Sequence, residues 1–81
     1  MGAPPVYTPI PCVQHERLEF AVLRRQKLRL RLGHGEDATE ELIVLPTDVV
    51  TRDGAEWLSF QTDSGQNRVV RLDRILGFEY L

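Results

Sequence analysis

The chain has 81 residues, of which 42% are hydrophobic and 27% charged, and its formal net charge at pH 7 is −2. This length allows one domain with a thin core, and the composition is typical of a folded rather than a disordered protein. No apolar stretch approaches the roughly 20 residues of a membrane-spanning helix, and the first residues have no signal-peptide pattern. With a single cysteine, no internal disulfide is possible, so we expect a protein of the reducing cytoplasm.

The first third of the chain predicts an extended segment, a helix and a strand. Residues 2–11 contain four of the five prolines, which fix φ and remove backbone donors, so this segment is extended; residues 1–6 are expected to be flexible. From about Val13 to Arg25, apolar positions recur at helical spacing and predict an amphipathic helix. In residues 27–32, "KLRLRL", leucines alternate with cations, which predicts a half-buried strand with a cationic outer face.

The remaining residues predict short strands joined by tight turns. "LIVLPTDVVT" predicts one or two strands, with Pro46 at an edge or a bend, and Asp53-Gly54 is a hairpin signal. "EWLSFQT" alternates as a strand does, and the last strand is expected to be interrupted near Asp73 and bent near Gly77. We therefore predict a mainly β, antiparallel fold of five or six strands with one N-terminal helix, curled into a small barrel or sandwich that disposes of its edges.

The residues that carry chemistry do not form an enzyme site in the sequence. His15 and His34 have no cysteine pair or second histidine at ligand spacing, so no metal site is predicted. Ser59 and Ser64 lack the context of an activated nucleophile, and there is no glycine-rich phosphate loop. Cys12 is expected to pack beneath the helix, because free cysteine is usually buried. We expect a binding protein without enzymatic activity, cofactor or metal.

Charge is distributed unevenly along the chain. Residues 24–31 hold five cations and no acid, whereas residues 36–63 hold eight acids and one base, Arg52. The six aromatic residues do not cluster beside the cations in the sequence, and the sequence pI of about 5.6 lies far below the ~9 typical of nucleic-acid-binding domains. These acidic stretches indicate a partner with a basic protein surface.

Several motifs occur in a fixed order along nearly the whole chain. They are "YTPIPC" (residues 7–12), "HERLE" (15–19), "KLRLRL" (27–32), "DVVTRDGAEWL" (48–58) and "VVRLDRI" (69–75). Together they resemble the Rho-binding antiterminator family, also called Rof. The resemblance implies a small Sm-like or SH3-like β-barrel with an N-terminal helix. It also implies a protein that binds the hexameric, RNA-dependent helicase Rho near its primary RNA site and blocks RNA loading.

The first and last of these motifs are expected to be structural, and the binding residues to lie between them. Ile10 and Cys12 would anchor the helix on the core, and Leu72 and Ile75 would face the core from the closing strand. The resemblance then implies a Rho-binding surface on the helix start and the neighbouring turns. Its candidate residues are Gln14, His15, Glu16, Glu19, Glu36, Asp37 and Asp48.

Within that surface, we expect Glu16 and Glu19 to dominate recognition, and Asp48 with the 36–37 turn to add steering. The expected partner is the Rho hexamer, bound by a monomer that has no direct contact with nucleic acid or membrane. Two alternatives remain open at the level of sequence. One is an Sm-like RNA-binding module that uses Arg29, Arg31, Arg68 and Arg71; the other is a scaffold for a different basic protein. An RNA binder would bind RNA directly and lose affinity steeply with salt.

Overall fold

The computed structural model describes residues 8–81, so the flexibility expected for residues 1–6 lies outside the described range. Residues 8–81 form one α-helix, five strands and a short 3₁₀ turn. The elements are α1 (Cys12–Arg24), β1 (Leu28–Gly33), β2 (Thr39–Arg52), β3 (Ala55–Thr62), β4 (Asn67–Arg71), the 3₁₀ turn Leu72–Arg74 and β5 (Ile75–Tyr80). No helix among these residues is long and apolar enough to cross a bilayer.

The five strands form one antiparallel sheet in the order β4-β3-β2-β1-β5. The 14-residue strand β2 pairs with β1 through residues 39–44 and with β3 through residues 44–52. Its register with β3 shifts between Pro46 and Asp48, where pairing with β1 has already ended. The predicted bend at Pro46 is therefore confirmed, and the segment is one continuous strand that turns from one neighbour to the other.

The edges of the sheet are β4 and β5, which follow each other in the chain. No ladder joins these two strands in the described residues, so the sheet does not close into a fully hydrogen-bonded barrel and keeps two open edges, where the sequence predicts that the fold disposes of them. The predicted mainly β fold, with five antiparallel strands and one N-terminal helix, is confirmed. The Asp53-Gly54 hairpin is also confirmed, because both residues have positive φ, 55° and 74°, between the paired residues Arg52 and Ala55, as a type I′ turn requires.

β1 lies at the centre of the core. Leu28, Leu30 and Leu32 are fully buried, and Arg29 and Arg31 between them are exposed, which confirms the predicted alternation. The other members of the core come from the helix, β2, β3 and the 3₁₀ turn: Leu18, Ala21, Val44, Leu58, Phe60 and Leu72. Each fully buried leucine contributes about 1.5–3 kcal/mol relative to an exposed one. The stability of this small domain therefore depends on a few apolar side chains.

Of the two residues expected to anchor the N-terminal segment on the core, one does so and the other does not. Ile10 is half-buried and packs against the core, which confirms its anchoring role. Cys12, in contrast, is exposed, so the prediction that it packs beneath the helix is wrong. Cys12 precedes the buried Leu18 by six residues, which places it about 120° away around a helix with 3.6 residues per turn. The helix therefore turns Cys12 away from the core.

The closing segment is interrupted where the sequence predicts. Asp73 lies in the 3₁₀ turn and accepts two hydrogen bonds from the Arg71 guanidinium, at 2.7 and 2.8 Å, and one from the Thr8 backbone N–H at 3.1 Å. Burial by itself raises the pKa of the Asp73 carboxyl, but the hydrogen bonds from Arg71 and Thr8 and the charges of Arg71 and Arg74 outweigh it and lower that pKa. This carboxylate joins the end of β4 to the segment before α1.

β5 then bends near Gly77, as expected. Arg31 pairs with Gly77 but the next residue, Leu32, pairs with Ile75, so Leu76 is an extra residue in the ladder. A Cβ at Gly77 would lie 3.3 Å from an Arg31 guanidinium nitrogen. The glycine therefore leaves room for the Arg31 side chain to lie across the edge strand.

Candidate partner-binding site

α1 starts at a proline carbonyl and has no side-chain cap. The Pro11 carbonyl accepts hydrogen bonds from the N–H groups of Gln14 and His15, at 2.9 and 3.1 Å. Proline suits this position, because its fixed φ is compatible with a helix start and a donor is not needed there. The proline-rich segment thus sets where the helix begins and which residues occupy its first turn.

Three large apolar side chains of α1 face solvent. Val13, Phe20 and Leu23 are 64%, 52% and 80% exposed. They are spaced by seven and three residues, so they share one side of the helix, opposite the buried Leu18 and Ala21. Sequence reasoning missed this second apolar stripe because it followed only the core-facing one. The spacing of the three residues was the available signal.

The carboxylates of the helix lie beside this stripe. Glu16 and Glu19 are both exposed. Glu19 and Asp48 line one shallow groove of about 310 Å³ between α1 and β2, together with Val22, Leu23 and Val49; we call it the acidic groove. Two of the predicted site residues, Glu19 and Asp48, are thus brought together although 29 positions separate them in the sequence.

The His15 side chain is mostly buried and lies close to two carboxylates of the domain itself. Its side chain is only 23% exposed, its Nδ1 lies 3.5 Å from Glu19 Oε1, and its Nε2 lies 2.8 Å from Glu56 Oε2. The close approach to Glu56 lacks hydrogen-bond geometry, and the Nε2 atom is buried without a hydrogen-bond partner among the described residues. His15 therefore lies between a helix carboxylate and a β3 carboxylate, and a partner reaches only its exposed part.

Gln14 lies on another side of the helix. It lines a depression of about 280 Å³ with Ile10, Pro11 and residues 75–78 of β5. Five residues separate Gln14 from Glu19, which corresponds to about 140° around the helix. The structure therefore does not bring Gln14 into the acidic groove.

The turn that contains Glu36 and Asp37 is far along the strand from Asp48 and the acidic groove. Both residues are exposed in the β1–β2 connection, and Asp37 has a φ of 57°. From Thr39, where β2 begins, to Asp48 the strand path is roughly 30 Å at ~3.3 Å per residue. Glu36 and Asp37 do not line the acidic groove, so they remain candidates for a separate, longer-range contribution.

Three of the four arginines proposed for RNA binding are engaged with carboxylates. Arg29 lies 2.7 Å from Glu79, and Arg71 lies 2.7 Å from Asp73. Arg68 makes two hydrogen bonds to Glu40, at 2.8 and 3.1 Å. Arg31 makes no ion pair with any described residue. This pairing neutralises much of the positive charge that the RNA-binding alternative requires.

Glu40 is the centre of a polar network between β2, β4 and the β1–β2 turn. It accepts the two hydrogen bonds from Arg68 and lies 2.7 Å from Nε2 of His34. The hydrogen bond from Arg68, followed by that from His34, lowers the pKa of the Glu40 carboxyl from its ordinary 4.5 to about 2. The Glu40 carboxylate thus stays charged across the physiological pH range.

The comparisons with known proteins concern this whole arrangement of helix and sheet. No protein-family model matches the chain. Protein rof of Escherichia coli (strain K12) and Protein rof of Shigella flexneri are each 34% identical to it over 74 residues, which cover 91% of this chain and 82% of theirs. The chain belongs to the Rof family. The resemblance found in the ordered motifs is therefore confirmed.

One solved structure extends the comparison of the fold beyond the Rof family. The proteasome accessory factor PafBC of Arthrobacter aurescens contains a region that superposes with a TM-score of 0.79 at 22% identity. The match covers 91% of this chain but only 12% of that one. It shows that the fold of this Rof-family domain also occurs as a small part of a much longer protein.

Proposed function

We propose that this Rof-family chain binds the transcription terminator Rho near its primary RNA site, hinders the loading of RNA and so acts as an antiterminator. The observation that carries the proposal is the identity to two Rof proteins over 91% of the chain. A surface of Rho that holds RNA must present cationic groups to the phosphates. An inhibitor of that surface needs carboxylates where RNA has phosphates.

The outer side of α1 and the acidic groove supply such a surface. Glu16 and Glu19 are exposed, and Asp48 lines the same groove as Glu19. Phe20 and Leu23 lie exposed beside them. Binding surfaces commonly combine an apolar centre, which contributes most of the affinity, with charged groups at the rim that steer and align the partner. The stripe and the carboxylates fit this division.

The proposal describes a binding protein and not an enzyme. The acidic groove is lined by two carboxylates and three aliphatic side chains, Glu19, Asp48, Val22, Leu23 and Val49. None of these side chains is a nucleophile activated by a base, and aliphatic neighbours suit contact with a partner better than catalysis. The activity belongs in the cytoplasm, where transcription takes place, with a monomer of this chain bound to the Rho hexamer.

The test is RNA-dependent ATP hydrolysis by purified Rho, titrated with this protein. The parent should inhibit hydrolysis, and added RNA should relieve the inhibition by competition. The double variant Glu16→Lys/Glu19→Lys replaces attraction by repulsion and should inhibit much less, most clearly at low salt. Both residues are exposed, so the variant should keep its circular dichroism spectrum and its melting temperature.

The matched control is Glu36→Lys/Asp37→Lys, which makes the same change of charge in the β1–β2 turn. It should reduce inhibition only modestly, through the loss of steering. If the folded helix variant inhibits as well as the parent while the turn variant does not, the turn is the recognition surface and the assignment to α1 is wrong. If the parent neither binds nor inhibits Rho, the proposed function fails.

A further inference from the structure

A second groove lies along the open edge of the sheet at β4. It has a volume of about 240 Å³ and is lined by His34, Trp57, Val69, Val70, Arg71 and Arg74; we call it the Trp57 groove. None of its lining residues belongs to α1 or to the acidic groove. It is smaller than the ~300–1,000 Å³ typical of pockets for drug-sized ligands, so it suits one flat group rather than a whole cofactor.

Trp57 is held in a fixed orientation. Its indole N–H donates a hydrogen bond of 3.0 Å to the Arg52 carbonyl, and the Arg52 guanidinium lies 5.1 Å from the ring centre. In the sheet, Trp57 is directly opposite Arg71 on the edge strand. The Trp57 side chain is half-buried. The sheet register thus brings Trp57 beside a cation that lies 14 positions away in the sequence.

Two further arginines line the groove beside this ring, and only one of them is hydrogen-bonded to a carboxylate among the described residues. Arg71 is aligned by its two hydrogen bonds to Asp73. Arg74 is exposed and makes no ion pair with any described residue. Val69, 53% exposed, adds an apolar wall. The groove thus combines an immobilised aromatic ring, an apolar side and an unpaired guanidinium.

We infer that the Trp57 groove binds single-stranded nucleic acid, with one base stacked on the groove side of the indole and an adjacent phosphate held by Arg74. Stacking on aromatic side chains beside a cationic track is how proteins bind single strands without reading their sequence. An acidic peptide would use the guanidinium but would leave the indole without a planar partner. The inference goes beyond the proposed function, which requires no contact between this chain and RNA.

The test uses the fact that Trp57 is the only tryptophan of the chain. Its fluorescence is followed while the full chain, without Rho, is titrated with a short oligouridylate RNA at low salt. We expect saturable quenching, because a base stacked on the indole alters its emission, and we expect the affinity to fall steeply as salt is added. The absence of any saturable change in Trp57 emission would overturn the inference.

Two variants and a matched control locate the contact. Arg74→Glu should weaken binding about tenfold or more at low salt, since it replaces a phosphate contact by repulsion. Trp57→Leu, followed by anisotropy of a labelled oligonucleotide, should weaken it roughly tenfold to a hundredfold, the usual effect of losing one base stack. The control Arg25→Glu changes another exposed arginine that has no ion pair among the described residues, and should weaken binding less than about threefold.

Two results would contradict the inference. If Arg25→Glu weakens binding as much as Arg74→Glu, the interaction is general electrostatic attraction and not a site. If a glutamate-rich peptide quenches Trp57 and the oligonucleotide does not, the groove belongs to an acidic protein partner. Because Rho is absent from these titrations, neither result affects the proposed inhibition of Rho, and failure of that inhibition would leave this inference intact.

Discussion

The two sides of α1 have the same backbone and opposite environments. On the inner side, Leu18 and Ala21 are fully buried against the sheet. On the outer side, Phe20 and Leu23 are 52% and 80% exposed, and Glu16 and Glu19 on the same helix are exposed as well. A leucine on each side therefore has a different role, although the residue type and the helix are the same. The exposed apolar groups of the outer side are the ones that the proposed function assigns to contact with a partner.

This difference in burial predicts that stability and the proposed binding are separable within one short helix. A helix of 13 residues is marginal in isolation and is stabilised mainly by packing. Once the inner side supplies that packing, the outer side is free to carry groups that contribute little to the fold. Substitutions on the two sides should therefore affect different measurements.

The largest expected effect is on stability, from the inner side. Leu18→Ala should lower the free energy of unfolding by about 2–5 kcal/mol, because it removes a fully buried side chain from a thin core. Leu23→Ala makes the same change on the outer side and should alter it by less than about 0.5 kcal/mol. Chemical denaturation of both variants checks the contrast. Equal losses would mean that the outer stripe is part of the fold and not a surface for a partner.

The next largest effect is on binding, and here substitutions on the outer side should have the larger effect. Phe20→Ala and Leu23→Ala should each weaken binding to Rho by about 1–2 kcal/mol, because apolar groups at the centre of an interface contribute most of its affinity. The measurement is equilibrium binding to Rho without RNA, with melting temperatures recorded in parallel. Val69→Ala is the control, since Val69 is as exposed as Phe20 but lies on β4. Unchanged affinity in both helix variants would remove the outer stripe from the proposed interface.

Most of the fold was predictable because local patterns and tertiary packing agree in it. "KLRLRL" alternates, and its three leucines are the centre of the core. Asp53 and Gly54 form the turn that their conformational preferences favour. The interruption at Asp73 and the bend at Pro46 follow from residues that do not fit a regular ladder. In each case, a short segment contains the physical cause of its own structure.

The candidate site was less predictable because it is assembled from distant segments. Glu19 and Asp48 line one groove because of the way α1 packs beside β2. Trp57 lies opposite Arg71 because of the register between β3 and β4. Cys12 was misplaced because its burial depends on where the helix begins, which the Pro11 carbonyl decides. Such contacts are set by packing over the whole chain, and no short segment specifies them.

A smaller effect is expected from the charged network outside the core. Hydrogen bonds from Arg68 and His34 lower the pKa of Glu40 to about 2, so its contribution is present above the ordinary pKa of 4.5 and is lost as the pH falls from there towards 2. Glu40→Gln should reduce stability at neutral pH by at most about 1 kcal/mol, since the pair is partly exposed. It should also flatten the pH dependence of the melting temperature within that window.

The control for this measurement is Glu41→Gln, the exposed neighbour on the same strand. Glu41 makes no ion pair with a described residue, so its variant should keep the acid profile of the parent. Parallel acid profiles for the parent and both variants would show that the network contributes nothing to the fold. Stability would then depend on the buried apolar side chains and not on this charged network.

The smallest effect concerns the end of α1, where neither side of the helix is altered. Arg25 adopts a left-handed conformation, with φ 53° and ψ 45°, and the N–H groups of Arg25 and Gln26 bond to the carbonyls of Val22 and Ala21. Glycine is preferred at this position of a Schellman motif. Arg25→Gly should therefore stabilise the domain by about 0.5 kcal/mol, because relief of left-handed strain slightly exceeds the loss of a cation near the helix end and the entropy cost of glycine.

The matched variant for this position is Arg24→Gly, inside the last turn, which should destabilise by about 1 kcal/mol. Thermal unfolding resolves both changes, since 1 kcal/mol shifts the midpoint by about 4–8 °C in a domain of this size. Arg25→Gly changes stability while Phe20, Leu23 and the carboxylates keep their contacts, so its affinity for Rho should equal that of the parent at a temperature where both are folded. Arg24→Gly is compared for stability only, because the Arg24 guanidinium lies 5.4 Å from the centre of the Phe20 ring and its removal changes the outer side. If the affinity of Arg25→Gly instead follows its stability, the outer side of α1 acts through the order of the helix, and the separation of the two sides fails.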